Sequence, residues 1–295
     1  MRIFVTGATG FIGTELVREL LAAGHQVRGM TRSDAGAEQL KKVGAEIHRG
    51  DLQDLESLRS GATGMDAVVH LAFSHDFTKF AQNAADELKA IEALGSVMQP
   101  GKRLVVTSGV GLTKGAPGHV RTESDPPTDI PTIPRRPEQA ARAVAEKGVH
   151  VAIVRLPQVH DTRKQGLVQF LIQTARDKGV SAYVGEGANR WAAAPLEDVA
   201  HLYRLAAEKT GAGVTVYNAV DEEGVSLREI AETIAKGLKV PVISIAPEKA
   251  AEHFGWMTHF ATLDMPASSE RTRKMLGWDP TGPGLIEDLK NMKYF

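Results

Sequence analysis

The chain has 295 residues, of which 42% are hydrophobic, so it suits one large or two modest domains with a substantial core. Its 35 Lys and Arg residues nearly balance 36 Asp and Glu residues, and the net charge of −1 argues against nucleic-acid or anionic-membrane partners, which favour a basic excess. The absence of cysteine excludes disulfides, thiolate catalysis and zinc–cysteine sites.

The first half of the chain alternates short β-type runs with helical patterns. Strands are predicted at 3–5, 26–30, 45–48, 67–71, 103–107 and 149–155. Helical patterns lie between them, at 16–21, 35–43, from 55, at 80–98 and at 137–147. Six strands joined by helices predict an α/β fold built on a doubly wound parallel sheet.

The second half is more mixed. It predicts helices at 167–178, 196–209 and 227–238 and a strand at 214–219. The segment 115–137 carries six prolines and is predicted to be a long loop, a feature that is often functional in compact domains.

The amino terminus and the hydropathy pattern suggest where the protein acts. The first apolar run covers only residues 3–5 and then turns into glycine, which differs from the apolar stretch of roughly 7–15 residues in a secretory signal. No apolar run approaches the roughly 18 residues of a membrane span. We therefore expect a cytoplasmic protein with no membrane partner.

Glycines stand at positions 7, 10 and 13, between the first strand and the first helix. Gly7 permits a tight turn, Gly10 lets the backbone approach a diphosphate, and Gly13 allows close packing at the start of the helix. The free N–H groups of the helix then face the phosphates. This context predicts a dinucleotide site; a purely structural turn is the alternative.

Further motifs follow this turn in a fixed order. They are Gly50-Asp51-Leu52, His70-Leu71-Ala72, Thr107-Ser108-Gly109, Val154-Arg155-Leu156-Pro157, Leu196-Glu197-Asp198-Val199-Ala200 and Tyr217-Asn218-Ala219. With the glycine turn, they resemble the extended and atypical short-chain dehydrogenases/reductases, the epimerase/dehydratase-like group, over nearly the whole chain. The resemblance implies a Rossmann-type domain at 1–155, with 211–238 returning to its sheet, and a smaller C-terminal substrate lobe at 156–210 and 239–295.

The resemblance also implies the cofactor contacts. Residues expected at the dinucleotide are Gly7, Thr9, Gly10, Phe11, Ile12, Gly13, Arg32, Asp51, Leu52, Leu71, Ala72 and Thr107. Among these, Asp51 and Leu52 should border the adenine, and Leu71 and Ala72 should pass the ribose and diphosphate.

The end of the second strand bears on the choice between NAD and NADP. Binders of NAD usually place a carboxylate there, whereas this chain has Thr31 followed by Arg32. A guanidinium pairs with a 2′-phosphate, which favours NADP over NAD. Asp34, as a ribose contact, and Arg32, as a solvated loop residue, remain the alternatives.

One catalytic residue is predicted, and two expected ones are missing. The resemblance implies that Ser108, at the end of the fifth strand, polarises a substrate carbonyl; a serine that caps a turn is the alternative. The family's Tyr and Lys fall near Ile130 and Pro134, where this chain has neither, although Glu138 matches a glutamate that follows the Lys. Ordinary family catalysis is therefore in doubt, and the atypical branch is favoured.

No residue stands out as a substitute proton donor. The candidates, each more typical of a loop or surface, are His75, Asp76, Lys114, His119, His160 and Asp161. Tyr183, Arg190 and Trp191 either line a pocket or pack in the lobe. The pairs Lys41-Lys42 and Arg135-Arg136 are interpreted as solvated faces, and no metal-ligand spacing is present.

The sequence therefore predicts an NADP(H)-dependent oxidoreductase that acts on a small organic carbonyl or alcohol. The alternatives are a nucleotide-sugar epimerase or dehydratase and a non-catalytic redox sensor that binds the dinucleotide and a partner protein. The oligomeric state cannot be inferred from the sequence.

Overall fold

A computed structural model describes residues 1–116, 118–128 and 133–294, and it shows a parallel sheet flanked by helices. The strands of the first half are β1 (Arg2–Thr6), β2 (Gln26–Thr31), β3 (Glu46–Arg49), β4 (Ala67–His70), β5 (Arg103–Gly109) and β6 (His150–Leu156). The helices between them are α1 (Phe11–Ala22), α2 (Asp34–Lys42), α3 (Leu55–Ala62), α4 (Phe80–Ser96) and α5 (Pro137–Ala145).

The second half adds shorter strands and further helices. Its strands are β7 (Gln158–His160), β8 (Ser181–Val184), β9 (Arg190–Pro195), β10 (Val214–Asn218), β11 (Glu222–Ser226) and β12 (Val242–Ile245). Its helices are α6 (Val168–Lys178), α7 (Leu196–Lys209), α8 (Leu227–Leu238), α9 (Ala250–Phe254), α10 (Thr258–Thr262), α11 (Glu270–Leu276) and α12 (Leu285–Asn291). Among the described residues, none of the helices combines the length and apolar character that crossing a membrane requires.

Seven parallel strands form the central sheet, in the order β10-β6-β5-β4-β1-β2-β3. The predicted α/β fold with a Rossmann-type doubly wound sheet is therefore confirmed. The order reverses between β1 and β4, and in such sheets ligands bind at this switch point, beyond the carboxyl ends of the strands. The ends of β1, β4 and β5 thus define where the site belongs.

Alternating side chains of the strands fill two cores. Ile3 and Val5 of β1 face the core that contains α1 and α7, and Phe4 faces the core beneath α3, α4 and α5. Side chains cap several helices, as when the Asp54 carboxylate accepts from the N–H groups of Glu56 and Ser57 at the start of α3. These caps and the buried apolar faces explain why the predicted helices form where they do.

The second lobe has its own core. Two helices, α7 and α8, each pack in the lobe other than the one the sequence predicts. A three-stranded sheet β11-β9-β7 and a two-stranded sheet β12-β8 pack with α6, α8 and the last helices. The helix α7 was expected in this lobe but packs on the central sheet, because its apolar face meets α1. The helix α8 was expected to return with β10, but its apolar stripe fills the core of the lobe.

Candidate functional site

The glycine turn between β1 and α1 has room only for glycine at two positions. Gly7 has a φ of +68°, and the Gly10 N–H donates to its carbonyl at 2.9 Å. A Cβ at Gly13 would lie 2.0 Å from the Gly7 oxygen, and one at Gly7 would lie 2.9 Å from the Ala72 nitrogen. The turn is therefore a close-packed backbone cradle at the start of a helix, a geometry that fits a diphosphate.

A cavity of about 270 Å³ lies beside this cradle. Its walls are formed by Thr9, Gly10, Phe11, Thr14, Glu15, Arg18, Asp161, Arg163, Lys164 and Leu196. The Lys164 Nζ lies 5.5 Å from the centre of the Phe11 ring, so a cation from the segment after β7 faces the start of α1. Another cavity, of about 300 Å³, lies by the amino ends of β1 and β2, away from the carboxyl ends, and we assign it no role.

Two arginines lie at the ends of β2 and β3. The Arg32 guanidinium donates to the Asp51 carboxylate at 3.3 Å, and its side chain is 78% exposed. Arg49, which the sequence analysis did not single out, donates to the Asp34 carboxylate and to the Arg32 carbonyl. Asp34 is thus paired with an arginine, while Thr31 is buried. This corner presents two guanidinium groups to solvent.

The segment after β4 approaches the glycine turn, and the segment after β3 packs beside α3. Leu52 packs against the core beneath α3, and Leu71 packs against the core on the α1 side. The Ala72 N–H donates to the Thr6 hydroxyl at 3.3 Å, which holds the segment after β4 against the end of β1. The half-buried Thr9 and Ile12 lie on either side of Phe11 in the turn and the first turn of α1.

Two neighbouring hydroxyls on β5 point to opposite faces of the sheet. The Thr107 hydroxyl donates to the His70 carbonyl and is 2.8 Å from the Tyr203 hydroxyl. The Ser108 hydroxyl donates to the Glu138 Oε1 at 3.0 Å, and Ser108 is only 2% exposed. The catalytic role of Ser108 stays a prediction, because its hydroxyl is engaged with a buried carboxylate.

Glu138 forms a buried ion pair with Arg155. The Arg155 Nε and Nη2 donate to the two carboxylate oxygens at 2.8 and 2.9 Å, and Arg155 also donates to the carbonyls of Thr122 and Asp125. This network joins α5, β6 and the proline-rich loop. Its hydrogen bonds compensate the cost of burying both charges.

The region that resembles the family's Tyr–Lys segment lies just before α5. Ile130 lies outside the described residues, and Pro134 is half-buried. The interpretation of Arg135 as a solvated surface residue was wrong: its Nε and Nη2 donate to Glu87 of α4 at 2.8 and 2.6 Å, and its side chain is only 16% exposed. Its partner is 48 positions away in the chain, so no local sequence signal predicts the pair.

Two histidines lie near this arginine. His70, at the end of β4, is buried, and its Nδ1 is 2.8 Å from the Thr6 hydroxyl. Burial and the positive charge of Arg135 lower the pKa of His70 to about 4. Burial and the charges of Arg135 and Lys164 also lower the pKa of His75. Both imidazoles are therefore biased towards their neutral forms.

The low pKa of His70 predicts a loss of stability in mild acid. The unfolded chain takes up this proton near pH 6.5, whereas the folded chain does so near pH 4, so stability falls as pH drops through this window. Between pH 6.5 and 5 we expect wild type to lose about 2 kcal/mol more than His70→Asn. Urea unfolding at both pH values measures this difference, and parallel losses would contradict it.

The other candidate proton donors are mostly engaged elsewhere. His160 is fully buried, and its Nδ1 is 2.7 Å from Asp288 of α12. His119 pairs with Asp125 at 2.9 Å on the proline-rich loop, which also carries Lys114. Asp161 accepts from the Arg163 guanidinium and backbone N–H. Asp76 accepts from Thr78 at the start of a 3₁₀ turn. These contacts are structural.

The three residues of the second lobe that the sequence singles out, Tyr183, Arg190 and Trp191, each make contacts with neighbouring side chains or backbone. Trp191 is fully buried, and its Nε1 donates to the Phe260 carbonyl. Arg190 pairs with Asp264, and the Tyr183 ring lies under the Arg228 guanidinium at 5.5 Å. The packing interpretation is confirmed for Trp191. Within the described ranges, no group of three His, Asp or Glu side chains is arranged to hold a metal ion.

Comparisons with known proteins agree with this geometry. The family model described as NAD(P)H-binding matches residues 7–185. An uncharacterized protein of Schizosaccharomyces pombe is 44% identical over 100% of both chains. A 4-hydroxy-2-methyl-3-oxo-4-farnesyl-3,4-dihydroquinoline-1-oxide ketoreductase of Stigmatella aurantiaca is 29% identical over 86% of this chain and 80% of its own.

The fold is also shared with a solved structure. The dTDP-glucose 4,6-dehydratase DesIV of Streptomyces venezuelae, solved with NAD bound, matches 99% of this chain and 96% of its own with a TM-score of 0.78. Its sequence identity of 22% makes this a similarity of fold.

Proposed function

We propose that this chain, which belongs to the NAD(P)H-binding family of the short-chain dehydrogenase/reductase superfamily, transfers hydride between a nicotinamide dinucleotide and a small carbonyl or alcohol compound. The observation that carries the proposal is the cradle in which a Cβ at Gly13 would lie 2.0 Å from a backbone oxygen. Such a close-packed turn at a helix start suits a diphosphate. The proposed place of action is the cytoplasm.

The proposed cofactor is NADP(H). The Arg32 and Arg49 guanidinium groups at the ends of β2 and β3 support this choice, because a 2′-phosphate pairs well with arginine. Within this proposal, Asp51 holds Arg32 beside the adenosine. The remaining contacts are the backbone of the glycine turn and the segments after β3 and β4.

The substitution Arg32→Asp tests the cofactor choice. We expect the Kd for NADPH to rise about 10- to 100-fold, the worth of a charge-assisted contact, and the Kd for NADH to change little. Fluorescence titration with both dinucleotides measures this. Lys42→Asp, which makes the same charge change on the exposed face of α2, is the control. An unchanged preference in Arg32→Asp would show that Arg32 does not select the cofactor.

Ser108 is proposed to polarise the substrate carbonyl. Its position at the carboxyl end of β5 supports this role, but its hydroxyl donates to Glu138 at 3.0 Å. A substrate oxygen therefore has to compete with this carboxylate for the hydroxyl proton. A non-catalytic redox sensor is the second candidate function, because no tyrosine lies between Ser108 and Arg155.

Turnover separates these candidates. NADPH oxidation is measured with a panel of aldehydes, ketones and activated alkenes, together with dinucleotide binding. Binding with turnover supports the oxidoreductase, and binding without any turnover supports the sensor. Binding of a UDP- or dTDP-sugar would instead favour the epimerase or dehydratase alternative. Absence of dinucleotide binding would refute all three.

A further inference from the structure

The Arg135 niche comprises Glu87, Arg135, Phe73 and His70, and its guanidinium has unused donors. The Nε and Nη2 groups donate to the two oxygens of Glu87, which is only 2% exposed. The guanidinium carbon lies 4.3 Å from the centre of the Phe73 ring, which covers one face. Among the described residues, Nη1 has no protein acceptor, so two N–H groups remain available on a rigidly held arginine.

The niche lies where a substrate of the proposed enzyme belongs. Phe73 follows the carboxyl end of β4, and the charge of Arg135 reaches His70 at the end of β4 and the Tyr203 hydroxyl beside β5. The charges of Arg135 and Lys164 both lower the pKa of His75, and Lys164 faces Phe11 at the glycine turn. Phe73 and His70 place the niche at the carboxyl end of β4, next to the point where the strand order reverses.

A second polar atom near Arg135 also lacks a partner. The Nε2 of His70 is buried and has no hydrogen-bond partner among the described residues, while its Nδ1 contacts Thr6. Buried polar groups are nearly always hydrogen-bonded, so the unpartnered Nε2 of His70 at the end of β4, within the electrostatic reach of Arg135, supports a polar ligand at this place.

We propose that the free Nη1 edge of Arg135 binds the carbonyl oxygen of the substrate, and that the niche selects uncharged carbonyl compounds over carboxylate-bearing ones. This rests on the proposed function. The selectivity follows from Glu87, whose buried carboxylate already neutralises the guanidinium. A ligand carboxylate would add an unbalanced negative charge beside Glu87, whereas a carbonyl oxygen adds none.

The role in reduction follows from the charge that develops on oxygen. The carbonyl carbon accepts hydride from the reduced dinucleotide, which becomes oxidised, and the electron pair of the C–O π bond moves to the oxygen. The two N–H groups of Arg135 Nη1 stabilise this oxygen until it takes a proton from water, which gives the alcohol. Arg135 thus supplies stabilisation and no proton, and in this arrangement it is the alternative to Ser108, whose hydroxyl is held by Glu138, as the group that contacts the carbonyl oxygen.

A matched ligand pair and a charge variant test the selectivity. Pyruvamide and pyruvate have nearly the same shape and differ in charge. Calorimetric titration in saturating NADP⁺, where neither compound turns over, should show pyruvamide binding at least tenfold more tightly to wild type. Glu87→Gln leaves Arg135 unbalanced and should reduce this ratio to one or below. Glu92→Gln, on the exposed side of the same helix, should leave the ratio unchanged.

A double variant tests the arginine itself. Arg135→Met with Glu87→Leu removes both charges together, which buried pairs often tolerate without unfolding. Pyruvamide binding should weaken at least tenfold while the Kd for NADPH changes less than threefold. The proposal is overturned if wild type binds neither compound, if Glu87→Gln leaves the ratio unchanged, or if the double variant retains pyruvamide binding.

Failure of the niche and failure of the proposed function give different experimental results. Loss of the charge selectivity in a protein that binds NADPH and reduces carbonyl compounds would refute only the role of the niche. A wild-type protein that binds neither dinucleotide would refute the proposed function.

Discussion

Replacing Gly13 by alanine is expected to weaken dinucleotide binding severely. The new Cβ would lie 2.0 Å from the Gly7 oxygen, 2.8 Å from its carbonyl carbon and 2.9 Å from the Ala8 Cα. All three are backbone atoms, so the clash cannot be relieved by a side-chain rotation. Either the turn or the start of α1 must move, and the N–H groups then no longer converge on the diphosphate.

We expect a rise in the Kd for NADPH of at least 100-fold in Gly13→Ala, together with a stability loss of about 1–3 kcal/mol from overpacking. Fluorescence titration and urea unfolding measure the two effects. Gly211→Ala is the matched control, since a Cβ there meets no atom within 4 Å and the φ of Gly211 is not positive. Near-normal binding by Gly13→Ala would show that the turn is not the diphosphate site.

Replacing Glu138 by alanine is expected to cause the largest loss of stability. The carboxylate accepts from both Arg155 and Ser108, and Arg155 is 1% exposed, so its charge would remain buried without a counter-ion. Removing one partner of such a pair costs about 3–5 kcal/mol. Urea unfolding measures this, and Glu146→Ala, at the exposed end of α5, should stay within about 0.5 kcal/mol of wild type.

Replacing Ser108 by alanine distinguishes a structural role of its hydroxyl from a catalytic one. As a purely structural donor, Ser108 would contribute about 1 kcal/mol of stability, and turnover would be retained. If Ser108 polarises the substrate, its loss would reduce kcat with a similarly small change in stability.

For the Glu138 prediction, a Glu138→Ala protein as stable as wild type would show that the ion pair does not hold α5 to β6.

The central sheet could be predicted because its signals are local. Each of β1, β4, β5 and β6 contains a short apolar run next to a turn or helix signal, and parallel strands buried on both faces have this pattern. The predicted helix 227–238 has the bounds of α8 for the same reason, a regular apolar stripe. By contrast, β11 contains Glu222, Glu223 and Gly224, and only its antiparallel pairing with β9 makes it a strand.

The site could be predicted only in part, and again only the features with a local sequence signal were found. The glycine turn could be predicted because its three glycines occur at a fixed spacing within one short stretch of the sequence. The partners of Arg135, Ser108 and His160 lie 48, 30 and 128 positions away, and such distant pairs leave no pattern in a single sequence. For this reason a buried arginine with free donors was interpreted as a surface residue.

The interleaving of the two lobes restricts how this protein can be recombined with its relatives. The segment that contains α7 and β10 belongs to the sheet, although chain on both sides of it builds the second lobe. A single crossover after residue 155 would therefore take the outer strand β10 and the covering helix α7 from a foreign parent. A chimera that exchanges substrate specificity has to graft two separate stretches and keep the host segment between them.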